Sequence, residues 1–209
     1  MKNSMEIEEP RVARWLFNST NAAVLWLVVR VYLGYQWLHA GWEKITGTSG
    51  PTWGWSAWHW GYTQDSWLRN GAGLQGFIKY GALPQTGKPF SAVNYGWYAS
   101  FLRWLAHPTP AAFFAKVIAL GETAIGIALI VGVLTGVAAF MAGTLTMSFG
   151  LAGVAGVNPL FFFLEVGLIL AWRNAGYYGL DRYVLPALGT PWHRGTVFQH
   201  KGVAVHPTA

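Results

Sequence analysis

Four stretches of this chain run almost without charge. Between Ala22 and Trp42 the only charged side chain is Arg30, and between Ala111 and Leu134 there are only Lys116 and Glu122. Gly136–Ala155 carries none, and Leu160–Trp172 only Glu165. A helix needs about 20 apolar residues to cross a hydrocarbon core of about 30 Å. The pattern therefore predicts spanning helices over residues 22–42, 111–134 and 136–155. A fourth, over 159–175, is shorter and needs local thinning or a helix that runs into the interface. The expected fold is all-α, an integral membrane four-helix bundle forming one domain over residues 22–182.

Residues 45–110, between the first and second spans, hold seven tryptophans: Trp53, Trp55, Trp58, Trp60, Trp67, Trp97 and Trp104. A structureless connection of this length is improbable in a compact fold. Helical stretches are expected near Trp67–Leu83 and Asn94–Ala106, the second with Tyr95, Tyr98, Phe101, Leu102 and Leu105 on one stripe. Pro84, Gly87 and Pro89 break the chain between them. Indole and phenol rings favour the water–lipid boundary, apolar body in and polar tip wet. The segment thus reads as an extracytoplasmic Trp-rich helical cap, which either anchors in the interface or acts as a lid over a site for an amphipathic molecule.

Composition agrees with the pattern. Only 11% of the 209 residues are charged and 53% are hydrophobic, where a soluble domain carries about 25% charged residues. The chain has no cysteine, which excludes a disulfide framework, thiolate zinc sites, iron–sulfur clusters and covalent haem. Arg11 and Arg14 precede the first span, and Arg173, Arg182, Arg194 and Lys201 follow the fourth. The positive-inside rule then puts both the N-terminal segment (1–21) and the tail (183–209) in the cytoplasm of a multi-pass cell-membrane protein. Glu6, Glu8 and Glu9 give the N-terminus the wrong sign for a secretory signal. The net charge of +6 reads as topology plus affinity for anionic lipid, not as nucleic-acid binding.

The few intramembrane charges are the first candidates for function. Arg30, Gly34, Trp37, Gly41 and Lys44 recur every three or four residues and share one helix stripe, whose glycines let a neighbouring helix approach. Arg30, Glu122 and Glu165 lie on three different spans at similar expected depth. Unpaired charges there cost several kcal/mol, so such groups pair or line a cavity. One cation cannot neutralise two carboxylates; if the three gather, one glutamate is expected to stay protonated. Two readings follow: a proton-exchanging group beside a redox or transport site, or a buried Arg30–glutamate tie that fixes packing. Catalytic roles would fall to Glu122, Arg30 and Glu165.

A second polar set, His39, Glu43, Lys44 and Lys116, lies toward the outer end. Glu43 and the lysines are expected to snorkel at the boundary. His39 either hydrogen-bonds a quinone carbonyl or satisfies a backbone acceptor, and its isolation argues against bis-histidine haem. With Trp37, Lys44, Lys116 and Arg103 it completes the candidate substrate and quinone contacts, the cations attracting a small anion. No G-x-G-x-x-G, P-loop or H-E-x-x-H motif occurs, so no metal, haem, flavin or nucleotide site is evident. Redox electrons would pass directly between bound substrates or through a partner.

Several motifs fall in a recognisable order. They run from Arg30-x-x-x-Gly34 to Ala40-Gly41-x-x-Lys44, then through Gly121-Glu122, Gly126 and Leu129-x-x-Gly132-x-Leu134-Thr135. Asn158-Pro159 opens the last span, and Gly176-Tyr177-Tyr178-Gly179-Leu180-Asp181-Arg182 follows it. In that order they resemble the DoxX family over residues 25–185, and Gly76-Phe77-Ile78-Lys79 with Trp97-Tyr98-x-x-Phe101-Leu102 resembles its longer DoxD type. The resemblance implies a four-helix membrane subunit of a thiosulfate:quinone oxidoreductase, with membrane quinone as substrate and a separate small partner subunit. Its landmarks here are Arg30, Lys44, Glu122, Asn158 and Asp181. The partner-like domain is not expected to be fused after Asp181. The alternative is a non-enzymatic membrane scaffold or anchor for a redox partner; a homo-oligomer is compatible with either, and a small-solute or proton carrier fits less well, because no internal repeat is detected.

Overall fold

A computed structural model describes residues 9–49, 53–54, 58, 60–83 and 93–189, and the described residues are helical without a strand. In chain order the helices are α1 (Arg11–Asn18), α2 (Ala23–Thr46), α3 (Ala72–Gly76), α4 (Gly96–Leu105), α5 (Pro108–Val131), α6 (Thr135–Leu151), α7 (Asn158–Leu170) and α8 (Asp181–Ala187). A 3-10 turn, Thr20–Ala22, joins α1 to α2, and α3 runs on into a π-helical stretch, Phe77–Ala82. The expected break at Pro84, Gly87 and Pro89 lies outside the described residues, as do Trp55 and the tail beyond Gly189.

Two antiparallel pairs form the core: α2 packs on α5, and α6 on α7. Glycine sets the closeness of the first pair. A methyl group at Gly41 would strike the backbone of Thr123, and one at Gly126 would strike the backbone of Leu38. The α5–α6 turn is tight, with Gly132 at φ 73° and Leu134 at φ 48°. The outer segment closes over one end, where α3, the π-helical stretch and α4 pack through Leu74, Ile78, Tyr98 and Leu102 against Ala115 and Ala152.

Large apolar side chains lie on the outside of α5, α6 and α7 as well as in the core. Toward the interior α5 and α6 present Ala111, Ala115, Ala119, Ala138, Ala139 and Ala142. Outward point Phe113, Leu120, Ile127, Phe140, Met141, Phe163 and Leu170, each at least half exposed. Arg30, Glu122, Glu165, Asn174 and Asp181 are buried. The interior mixes small residues and buried ionisable groups with large apolar side chains such as Trp26, Leu33, Trp37, Leu129 and Leu168.

Length separates the helices. Among the described residues α5, 24 residues with mean hydropathy 2.0, is long and apolar enough by itself to cross a membrane. α1 and α2 together also qualify, but with a bend of 65° between them. At 1.5 Å per residue, α6 (17 residues) and α7 (13 residues) are about 26 and 20 Å long. The third predicted span (136–155) thus ends early, at Leu151, where Gly153 and Gly156 turn the chain with positive φ.

Candidate functional site

The α2 stripe organises the buried polar groups. Arg30, Trp37 and Lys44 follow one another at seven-residue intervals, which is two turns and about 10 Å of rise each. Trp37 and Lys44 each meet a buried acid, and Arg30 meets a backbone carbonyl.

At the outer end Lys44 Nζ donates to Glu122 Oε2 at 2.7 Å. The ammonium also donates to Ala40 O at 3.4 Å and lies 5.3 Å from the centre of the Trp67 ring. Glu122 is 1% exposed, and its Oε1 has no partner. Trp67 is held in place by its own backbone N–H, which donates to Lys44 O at 2.9 Å.

In the middle Glu165 is fully buried on α7. Its Oε1 accepts from Trp37 Nε1 at 2.9 Å and from Thr146 Oγ1 at 3.1 Å, while Oε2 has no partner. No lysine or arginine among the described residues lies within ion-pair distance of it. Two neutral donors share one oxygen of the carboxyl.

At the inner end Arg30, 1% exposed, donates from Nη2 to Tyr178 O at 3.2 Å. Its Nη1 presses on Gly132 and Gly179, where any Cβ would collide with it. Arg30 Nε and Nη1 have no hydrogen-bond partner, and no carboxylate lies within ion-pair distance among the described residues; Asp181 is the acid whose charge bears on the guanidinium without touching it. Asp181 in turn accepts from Leu134 N and Thr135 N, capping the first turn of α6, where a carboxylate is favoured by the helix dipole. Its own N–H donates to Gly132 O at 2.7 Å. Arg30 thereby ties the α5–α6 turn to the segment that follows α7.

The expected Arg30–Glu122–Glu165 cluster does not form. Helix register explains this: two turns of α2 separate the level of each acid from the next, so neither glutamate reaches Arg30. Lys44 does not snorkel either, because the Gly41–Thr123 approach brings Glu122 within reach of its ammonium. Lys116 and Arg103 are exposed and make no ion pair among the described residues. His39 is buried, stacked on Tyr35 with ring centres 6.2 Å apart and edge-on to Trp58, with Nδ1 4.0 Å from Glu43 Oε2. It belongs to an aromatic wall of Tyr32, Tyr35, Trp42, Trp53 and Trp58 on a second face of α2.

Sequence reasoning missed three participants. Thr146 is one of four hydroxyl residues on α6, yet Thr144 and Ser148 bond to their own helix backbone and only the Thr146 hydroxyl reaches an acid. Asp181 was visible as a landmark but not as a helix cap, because the helix it caps begins 46 residues earlier. Asn174, buried just after α7, donates to Leu16 O and Ser19 O and carried no sequence signal.

Cavities flank this axis. A cleft of about 310 Å³ opens between the end of α6 and the start of α7, lined by Thr146, Met147, Gly150, Asn158, Pro159 and Phe162. A second, of about 220 Å³, lies under the outer segment among Leu74, Phe77, Ile78, Tyr98, Phe114 and Phe149. There Tyr98 Oη donates to Ser148 O at 2.8 Å, and burial pushes the phenol pKa up, keeping it a donor. A third, of about 340 Å³, is formed by Tyr35, Trp53, Gly54 and Trp58. None of these three is lined by Arg30, Glu122 or His39.

No family model, curated protein or solved structure matches the chain. The resemblance to DoxX proteins stands on the motif order set out above.

Proposed function

We propose that this chain is a multi-pass subunit of a quinone-linked oxidoreductase in the cell membrane, with α2, α5, α6 and α7 as a four-helix bundle and both termini cytoplasmic. Large apolar side chains face outward from α5, α6 and α7 while small and ionisable residues are among those buried within, an arrangement favoured where lipid replaces water. The short α6 and α7 are accommodated by bilayer thinning.

The observation that carries the enzymatic reading is Glu165. Glu122 is paired with Lys44, whereas Glu165 has no cation within ion-pair distance among the described residues and hydrogen-bonds a residue that lines the α6–α7 cleft. Quinone reduction takes up two electrons and two protons. A carboxyl neutralised by a proton instead of a cation is suited to deliver one of those protons to a ring in that cleft and to be recharged from water. The reductant is a small anion such as thiosulfate, drawn by exposed Arg103 and Lys116; two such anions would join through a sulfur–sulfur bond as they release two electrons.

The test is reduction of a soluble quinone analogue by thiosulfate in membranes that contain the chain and any small subunit that co-purifies with it. Activity should fall at least tenfold in Glu165→Gln, with the melting temperature lowered by no more than a few degrees. A second reading, a non-enzymatic scaffold for a redox partner, is favoured by the tight packing around Arg30 and Glu122. Quinone-independent membranes that retain partner association would establish it instead.

A further inference from the structure

The elbow between α1 and α2 is built with unusual care for a chain terminus. Leu16 O accepts from Trp26 Nε1 at 2.8 Å and from Asn174 Nδ2 at 3.1 Å, and Ser19 O accepts from the same amide at 2.7 Å. Ser19 Oγ accepts from Asn21 N. Leu16 and Phe17 pack into the core, with Phe17 stacked on Trp26. The 65° bend is thus locked from both sides.

This locking presents an ordered surface. At helical spacing Arg11, Arg14 and Asn18 fall on one face of α1 and line a groove with Trp15, Ser19 and Thr20. Arg173, from the segment after α7, reaches the same rim and donates from Nη1 to Asn18 Oδ1 at 3.1 Å. Among the described residues three guanidinium groups line this rim with one carboxylate, Glu9, which itself accepts from Asn18 Nδ2. Arg14 has only Glu9 O as a partner, at 3.3 Å. On the flank beside the arginines, Val12 is 75% exposed and Trp15 49% exposed. A soluble anion would use the guanidinium groups and leave that apolar flank unoccupied. A molecule with an anionic head and an acyl chain uses both.

We infer that this groove binds the headgroup of an anionic phospholipid of the inner leaflet, with phosphate oxygens on Arg11, Arg14 and Arg173 and an acyl chain along Val12 and Trp15. α1 then lies in the interfacial plane as an amphipathic helix. The inference rests on the membrane reading but not on quinone chemistry.

The experiment is native mass spectrometry of the full chain purified in detergent, with phosphatidylglycerol and phosphatidylcholine offered in equal amounts. Wild type should retain phosphatidylglycerol preferentially. Each arginine near a membrane surface contributes about fivefold, so the Arg11→Gln/Arg14→Gln double variant should lose about 25-fold of that preference without a change in melting temperature. Asn174→Ala, which unlocks the elbow but keeps every arginine, should weaken the preference as well. Equal retention of the two lipids by wild type, or an unchanged preference in the double variant, would overturn the inference. Displacement of phosphatidylglycerol by millimolar inorganic phosphate would also overturn it, marking a soluble-anion site. Release of the chain from membranes by alkaline carbonate would refute the membrane reading itself; retention without lipid preference would refute only the groove.

Discussion

Glu122 and Glu165 are equally inaccessible, yet replacing each by glutamine should have unequal consequences. In Glu122→Gln the 2.7 Å contact loses its charge, and Lys44 is left with Ala40 O and the Trp67 ring. Removing one partner of a buried ion pair costs about 3–5 kcal/mol. The Lys44 side chain is 20% exposed, which discounts this to about 2–3 kcal/mol. For a chain of this size that is a drop of about 4–12 °C in melting temperature. In Glu165→Gln the carbonyl oxygen still accepts from Trp37 and Thr146, and no described cation is orphaned, so the loss should be the smaller of the two, about 1 kcal/mol for the amide N–H groups left unpaired. The assay is thermal melting of purified protein in one detergent, extended to the Lys44→Met/Glu122→Leu double variant. Replacing both charges by apolar groups of similar volume should recover most of the loss. If Glu165→Gln melts lower than Glu122→Gln, or the double variant is no better than the worse single, the assignment of the two acids is wrong.

Three further outcomes are expected. Gly132→Ala should prevent accumulation of folded protein, because its Cβ meets Arg30 Nη1 at a residue with φ 73°, whereas Gly121→Ala, facing open space in α5, should leave expression and melting intact or raised; fluorescence-detected size exclusion compares them. Leu134→Gly should stabilise by about 1 kcal/mol, seen as a higher melting temperature, since the left-handed conformation at φ 48° costs a leucine about that much. Tyr98→Phe should cost about 1 kcal/mol through loss of the bond to Ser148 O and speed proteolysis of the outer segment, while the α2–α5 contacts remain.

The helical class and the α2 stripe were legible because both rest on local periodicity. Arg30, Gly34, Trp37, Gly41 and Lys44 do share a face, and the glycines do admit α5. What could not be read was which acid meets which member of that stripe. Depth counted from span ends placed Arg30, Glu122 and Glu165 at one level, but α5 begins at Pro108 and α7 stops at Leu170, so the counting origins were off by several residues. Partner choice also depends on side-chain reach: Lys44 meets Glu122 through four methylenes, while the shorter lever of Asp181 works only because Gly176 leaves room for its carboxylate. α1 is amphipathic but only eight residues long, so in the sequence Arg11 and Arg14 read as flanking charge, and its order comes from Asn174, more than 150 residues away.

Neutrality along α2 narrows where chemistry can occur. Lys44 and Glu122 form an ion pair, and Arg30 and Asp181 bear on each other without direct contact, Asp181 being held by the Leu134 and Thr135 amides. Glu165, between them, has no cation within ion-pair distance among the described residues, and its contacts are the neutral donors Trp37 and Thr146. Of the three levels, only this one can change charge without stranding a partner. It is also the one whose hydroxyl neighbour, Thr146, lies on the wall of an open cleft. Thr146→Val should therefore slow hydrogen–deuterium exchange of the Glu165 carboxyl, followed through its infrared carbonyl band, while Thr144→Val, whose hydroxyl bonds to Phe140 O, should not. Equal exchange in the two variants would separate the acid from the cleft and leave Glu165 a packing element like the other two.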